Sequence, residues 1–274
     1  MLLKTLFILG DIGYLNQNLN QVVNLVNNKI NVDDRLVLLG DNFYDSGIIN
    51  NDDPLISKYQ EIFKDVNNPK YSILGNHDYL ENPLAQIKNQ NWIMDDWYYK
   101  KEFDNIDLYF LDTNQFNLDW VKEERLKEVH NLDSKTLIKN QIDWFKNELN
   151  KDLKKKKIVF GHYPVITNGR YVNQVDKIYN DLIDVFKEYN INIYISGHEH
   201  NIQYIKRDID GFDFNQIIVG SSSEFRIDCD TCFEEDMLDN TDIFYGKLVI
   251  EDDYIQIEYY NIKDELKYKY KIKL

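Results

Sequence analysis

Cysteine is scarce. Cys229 and Cys232 are the only two in 274 residues, so neither a disulfide framework nor a four-thiolate zinc knuckle is available. They form a lone C-x-x-C inside RIDCDTCFEED, where neighbouring carboxylates disfavour a thiolate. The pair therefore reads as two ordinary thiols or an incidental disulfide rather than a redox couple. Four prolines and eleven glycines leave no room for a flexible linker. Cations are short as well: 32 Lys and Arg against 47 Asp and Glu give a net charge of −15. That balance argues against a broad nucleic-acid or anionic-membrane surface. A small anionic ligand would need locally concentrated positive charge, and a metal ion is one way to supply it. No apolar run approaches the roughly 18 residues of a membrane span. The opening MLLKTLFILGD is interrupted by Lys4 and has no small-residue cleavage site, so it reads as a first strand rather than a signal peptide. The expected location is cytoplasmic, or secreted or lysosomal if a leader has been removed.

What is present organises itself around six short apolar runs. TLFILGD (5–11), RLVLLGD (35–41), YSILGNHD (71–78), DLYFLDTN (107–114), KIVFGHYP (157–164) and INIYISGHEH (191–200) each end in a polar cluster. Their apolar residues are continuous rather than alternating, which predicts strands covered on both faces. Helical patterns lie between them, as in SKTLIKNQIDWFKNELNKDL, where Ile138, Ile142, Phe145 and Leu149 recur at helical spacing. Together these features predict an α/β sheet with covering helices. The last third changes character: NQIIVGSSS, FYGKLVIEDD, YIQIEYYNI and LKYKYKIKL read as successive β segments, enough for a second sheet packed on the first. The run KKKK at 154–157 reads as a solvated helix end, where cations suit the helix dipole. Segment 80–106, with Trp92, Trp97, Tyr98 and Tyr99, either lines a pocket or fills the core, and core packing is the plainer role for an aromatic cluster.

Histidine is the last shortage, and its placement is uneven. Four of the five histidines, all but His130, sit just beyond predicted strands. His198 and His200, one residue apart, would point to the same side of an extended segment. Alone, such a pair is as well explained by a solvated loop. It gains meaning from the other strand tips, which carry Asp11, Asp41, Asn76, His77 and His162. In open α/β sheets, ligand sites form at the carboxyl ends of strands. A set of carboxylates, an amide oxygen and imidazoles suits two divalent or trivalent transition metals.

In this order GDIG, GDNFY, GNHD, GHYP and GHEH resemble the signature of the metallophosphoesterase (calcineurin-like) superfamily. GDNFYDSGI, GHYPV and GHEHNIQYI most resemble the small tartrate-resistant purple acid phosphatases. The resemblance runs from Asp11 to about residue 205 and implies one domain over 1–274, a four-layer α/β/β/α sandwich with two mixed β-sheets flanked by helices. It implies that Asp11, Asp41, Tyr44 and His200 hold one metal, expected to be iron. Asp41 would bridge to a second metal held by Asn76, His162 and His198, expected to be iron, zinc or manganese. A Tyr44 phenolate would suit ferric iron and give it a purple colour; otherwise Tyr44 is one of twenty tyrosines. The implied activity is hydrolysis of phosphate monoesters by a hydroxide that the two metals activate. The implied partner is a small phosphorylated substrate, with neither nucleic acid nor membrane involved. His77 would contact phosphate or protonate the leaving group, and Asp78 would either orient His77 or cap its loop. A phosphodiesterase or nucleotide hydrolase on the same metals is the alternative, and an inactive protein-binding scaffold the third reading. The chain departs from the small phosphatases in one respect. They carry a further histidine shortly after GHYP, where this chain has Arg170 and Tyr171, and Arg170 is either a phosphate ligand or a surface cation.

Overall fold

Strong β-formers with few breakers give thirteen strands in the computed structural model, which describes residues 4–226 and 237–274. Cys229, Cys232 and most of the acidic stretch around them lie outside the described residues. One sheet has six strands in the order β13-β12-β11-β1-β2-β3, with β1 (Lys4–Leu9), β2 (Arg35–Leu38), β3 (Lys70–Ser72), β11 (Phe244–Ile250), β12 (Tyr254–Asn261) and β13 (Leu266–Lys273). The other has seven in the order β10-β8-β9-β7-β6-β5-β4. These are β4 (Tyr99–Phe103), β5 (Ile106–Phe110), β6 (Lys156–Phe160), β7 (Ile193–Ser196), β8 (Ile202–Ile209), β9 (Phe212–Val219) and β10 (Met237–Asp239). Both sheets are mixed: β1, β2 and β3 run parallel, as do β5, β6, β7 and β9, while hairpin strands pair antiparallel at their flanks.

The period of two along each strand sorts the core into layers. Leu108, Phe110, Ile158, Phe160, Ile193 and Ile195 belong to the large core shared with Leu6, Ile8 and Leu248 of the six-stranded sheet. The intervening Tyr109, Val159 and Tyr194 face a second core built with Phe145 and Leu149 of α4 (Ser134–Leu149) and Leu182 and Phe186 of α5 (Asp176–Glu188). On the other side, α1 (Gln17–Asn27) contributes Leu19, Val22, Val23 and Val26, and α2 (Pro54–Phe63) contributes Ile56, Tyr59 and Phe63. Two mixed sheets flanked by helices are thus the expected architecture, and double coverage explains the continuous apolar strands. Helix starts follow side-chain chemistry: the carboxylate of Asp133 accepts from the Thr136 N–H at 2.8 Å, and Asp53 with Pro54 opens α2 by accepting from Leu55 N–H at 3.0 Å.

Two details differ from the sequence reading. The lysine run is not a helix end: α4 stops at Leu149, and Lys156 and Lys157 open β6. The reason is pairing with β5: Lys156 and Lys157 register against Ile106 and Asp107, and Lys155, just before the strand, reaches the buried Asp107 carboxylate at 2.7 Å. The strand β8 directly after GHEH, the edge strand β4 and the helix α3 (Glu123–His130) were not anticipated. The aromatic segment does fill the core in part: Trp92 and Tyr99 are buried, with Trp92 wedged against Phe43 and Tyr59.

Candidate metal centre

Five strand ends converge at one edge between the sheets. The six-stranded sheet delivers Asp11 after β1, Asp41 after β2 and Asn76 after β3; the seven-stranded sheet delivers His162 after β6 and His198 and His200 after β7. Hydrogen bonds between tips fix the approach: Leu39 N–H donates to Leu9 O at 2.9 Å, Gly197 N–H to His162 O at 3.1 Å, and Ser222 N–H to Gly10 O at 3.2 Å. Four tip residues adopt the left-handed backbone region that L side chains rarely enter, with φ of 54° at Asp11, 49° at Asp41, 71° at His198 and 52° at His200. Such conformations cost about 1–3 kcal/mol each and persist where surrounding structure over-determines them. Here they turn each side chain back toward a common point.

The side chains form two touching groups. In one, the Tyr44 hydroxyl lies 3.0 Å from Asp41 Oδ2, 3.0 Å from His200 Nε2 and 3.3 Å from Asp11 Oδ1. One ligand atom from each of Asp11, Asp41 and His200 lies within 4.8 Å of the other two. In the other group, His162 Nε2 is 3.1 Å from Asn76 Oδ1, 3.5 Å from Asp41 Oδ1 and 3.3 Å from His198 Nδ1. Asp41 therefore faces one group with each oxygen. All seven residues named as metal ligands from the sequence are brought together and buried.

Electrostatics show what the cluster can hold. Burial, reinforced by the charge of Asp41, pushes the Asp11 carboxyl well above the usual carboxylate range. Burial and the charges of Asp41 and Asp11 likewise raise the Tyr44 phenol. Burial drives the imidazoles the other way: His198 falls well below its ordinary value, His162 falls too, and His200, helped by the Arg226 charge, drops to about 3. Neutral imidazoles are in the ligating form but offer no positive charge to two buried carboxylates. A cation resolves that imbalance, and the mixed oxygen and nitrogen donors suit a transition metal. Among the described residues, Asp11, Asp41 and His200 form the group whose donor atoms lie close enough together to hold a metal.

Space at the tips comes from glycine. A Cβ on Gly75 would sit 2.1 Å from Asp41 Oδ1 and 2.2 Å from Asp41 N, and one on Gly197 would sit 2.6 Å from Asp11 Oδ2. Gly75→Ala is accordingly expected to destabilise the fold by about 1–3 kcal/mol through overpacking, a drop of roughly 3–10 °C in melting temperature. A thermal melt checks this, and an unchanged midpoint would mean the tip has slack.

Supporting residues were less visible in the sequence. Thr113 Oγ1 accepts from the N–H groups of His162 and Tyr163 at 3.1 and 3.0 Å, and Leu39 O lies 2.8 Å from His162 Nδ1. The Leu39 carbonyl thus fixes the orientation of the His162 ring, and Thr113 fixes the backbone that carries it. Asp78 does not orient His77. Its carboxylate, fully buried, accepts from Gly75 N–H at 2.8 Å, Asn42 N–H at 3.1 Å and Gln86 Nε2 at 2.9 Å, so it ties the GDNFY and GNHD loops together. Burial and Asp41 nevertheless push it up to about 7. His77 instead sets Nδ1 against the Asp45 carbonyl and places Nε2 4.0 Å from Asp41 Oδ2, at the partly open mouth of the site. Arg170 is exposed, with its guanidinium carbon 5.8 Å from the Tyr171 ring centre. Tyr171 lays its ring 4.5 Å from that of His198 and accepts from Arg226 Nη1 at 2.9 Å. Arg226 is the residue the sequence reading missed: it lies 26 positions beyond His200, and only the end of β9 brings it back to the site.

Residues 4–201 match the calcineurin-like phosphoesterase family. Among curated proteins, purple acid phosphatase 7 of Arabidopsis thaliana is 29% identical over 214 residues, covering 72% of this chain and 63% of its own length. Tartrate-resistant acid phosphatase type 5 of Sus scrofa is 29% identical over 200 residues, covering 66% and 56%. The chain thus spans between half and two thirds of these relatives. Among solved structures, GAP50, described as the anchor in the inner membrane complex of Plasmodium, superposes with a TM-score of 0.79 at 20% identity, covering 99% of this chain and 89% of that one. The yellow lupin (Lupinus luteus) purple acid phosphatase PPD1 gives 0.70 at 14% identity, covering 99% and 54%. With the family pattern matched over most of its length and the same sandwich in both solved structures, this chain belongs to the calcineurin-like phosphoesterases.

Proposed function

We propose that this chain is a phosphomonoesterase working with two metal ions, of the purple acid phosphatase kind. The observation that carries the reading is the division of Asp41, whose Oδ2 turns to Tyr44 and whose Oδ1 turns to His162. Asp11, Asp41, Tyr44 and His200 would hold iron; Asp41, Asn76, His162 and His198 would hold iron, zinc or manganese. When bound, the pair would supply Lewis-acid polarisation of the phosphoryl oxygens and an activated water near neutral pH. The chain's own residues do the rest. His77 Nε2, at the mouth, is free to donate to a phosphoryl oxygen or to give a proton to the departing oxygen. Trp120 and Tyr171 wall the His198 side with rings 5.6 and 4.5 Å from it, limiting water there. The same sandwich in the Plasmodium anchor means that the fold does not select an activity; the complete donor set is what favours catalysis over anchoring.

Protons and metals compete for these groups. The folded Asp11 carboxyl, raised by burial and by Asp41, stays protonated above the ordinary carboxylate range, and a metal takes its ionised form. Affinity therefore rises with pH and weakens as pH falls. Metal uptake in acidic solution is expected to release protons, measured in weakly buffered solution; uptake without proton release would contradict the assignment of Asp11 and Tyr44 as ligands. The function itself is tested by hydrolysis of a chromogenic phosphate monoester beside its diester from pH 4 to 8, on protein reconstituted with iron plus zinc or manganese. Faster monoester turnover is expected. A preference for the diester would overturn the monoesterase reading, and no turnover of either by the metal-loaded protein would overturn catalysis.

A further inference from the structure

We propose that Arg226 determines substrate class at this site, binding the doubly charged phosphoryl group of a monoester and so favouring monoesters over diesters; the inference rests on the phosphomonoesterase reading. The guanidinium is placed by contacts on both sides of the cluster. Its Nη1 donates to the Tyr171 hydroxyl at 2.9 Å, and the Tyr171 ring packs 4.5 Å from His198. Its Nε lies 3.9 Å from Glu224 Oε2, which in turn lies 3.3 Å from His200 Nδ1. Its backbone N–H donates to His200 O at 3.0 Å. One side chain thus spans the neighbours of both histidines, and so of both metal groups. It is part-buried, with 29% of the side chain exposed, so it is open to a ligand from solvent yet desolvated enough to strengthen an ionic contact. Its positive charge acts on Asp11, Tyr44 and His200.

A monoester phosphate carries up to two negative charges and three non-bridging oxygens, whereas a diester carries one charge and two such oxygens. The discrimination comes from the second charge, which strengthens the ionic contact with the guanidinium; the planar fork adds contacts to two oxygens at once, a geometry lysine cannot reproduce. In a chain of net charge −15, a cation beside Tyr171 and His200 also favours the approach of a dianion. Tyr171, standing where a histidine is expected by family resemblance, serves as the acceptor that holds the fork in place.

The test uses the full chain reconstituted with metals, comparing wild type, Arg226→Met and Arg226→Lys. Binding of inorganic phosphate is read by calorimetry, kcat/KM by hydrolysis of a monoester and a diester, and metal content by elemental analysis. Arg226→Met is expected to weaken phosphate binding and to lower monoester kcat/KM by about 10- to 100-fold, with diester kcat/KM changed by less than about threefold and metal content unchanged. Arg226→Lys should recover only part of the loss. The proposal is overturned if monoester and diester rates fall together, if phosphate binds Arg226→Met as tightly as wild type, or if Arg226→Lys weakens phosphate binding as much as Arg226→Met does. If wild type turns over neither ester, the phosphomonoesterase reading fails separately, and the phosphate titration still decides whether Arg226 binds the anion.

Discussion

Asp41→Asn is expected to lower monoester turnover by about a thousandfold or more, equivalent to roughly 4 kcal/mol of transition-state stabilisation. The side chain keeps its shape but loses what the site needs from it. As a carboxylate, Asp41 turns an acceptor toward each group, Oδ2 toward the Tyr44 hydroxyl at 3.0 Å and Oδ1 toward His162 Nε2 at 3.5 Å. As an amide it presents an NH2 to one of them, and a donor cannot face a cation. Whichever way the amide sits, one of the two proposed metals would lose a ligand and both would lose their share of the carboxylate charge. The fold should tolerate the change, because Asp41 Oδ1 accepts only the His77 N–H from the surrounding backbone, at 2.9 Å, and an amide oxygen can still do that. Turnover, metal content and circular dichroism on one preparation check the expectation. Full activity with full metal content would remove Asp41 from the centre.

The second large effect is expected at Tyr44. In the iron-loaded protein, Tyr44→Phe should abolish the visible charge-transfer band that a phenolate on ferric iron produces. It should also weaken iron at the Asp11–His200 group by about 100-fold, on the scale of losing one charged contact in a buried site. Packing should survive, since the ring is retained between Tyr14, 4.5 Å away, and the edge of His77, 4.6 Å away. Burial, reinforced by the charges of Asp41 and Asp11, raises the phenol well above its ordinary range. Without a cation it keeps its proton, so the colour should fade reversibly as pH falls and protons recover the oxygen. An unchanged band in Tyr44→Phe would assign the colour to another group.

Much of the fold was legible because its central strands are covered on both faces. Runs such as LFIL and IVF have one interpretation once helical patterns lie between them, and their ends named the site: Asp11, Asp41, Asn76, His162, His198 and His200 all lie where the tips converge. What escaped lacks such a pattern. Helix α3 buries one hydrophobic residue, Leu126, so it has no apolar stripe to read. Strand β4, YKKEF, is an edge strand with an exposed side. Strand β8 follows the histidine pair so closely that its alternation reads as a continuation of the motif.

The site's support was less legible still, because it depends on direction and not on residue type. Nothing in GNHD says whether Asp78 faces His77 or folds back onto the Gly75 and Asn42 N–H groups, and burial chose the second. Nor does local sequence reveal that Asp11, Asp41, His198 and His200 need left-handed backbone. Arg226 comes beside His200 only because β9 lies beside β7, a long-range pairing no local pattern encodes.

The most direct measurement is metal stoichiometry by elemental analysis of the purified chain after reconstitution and removal of loosely bound ions, with Asp41→Asn alongside. Two metals per chain in the wild type, falling to one or fewer in the variant, is the predicted result. One metal or none in the wild type, or two in both proteins, would contradict a centre bridged by Asp41.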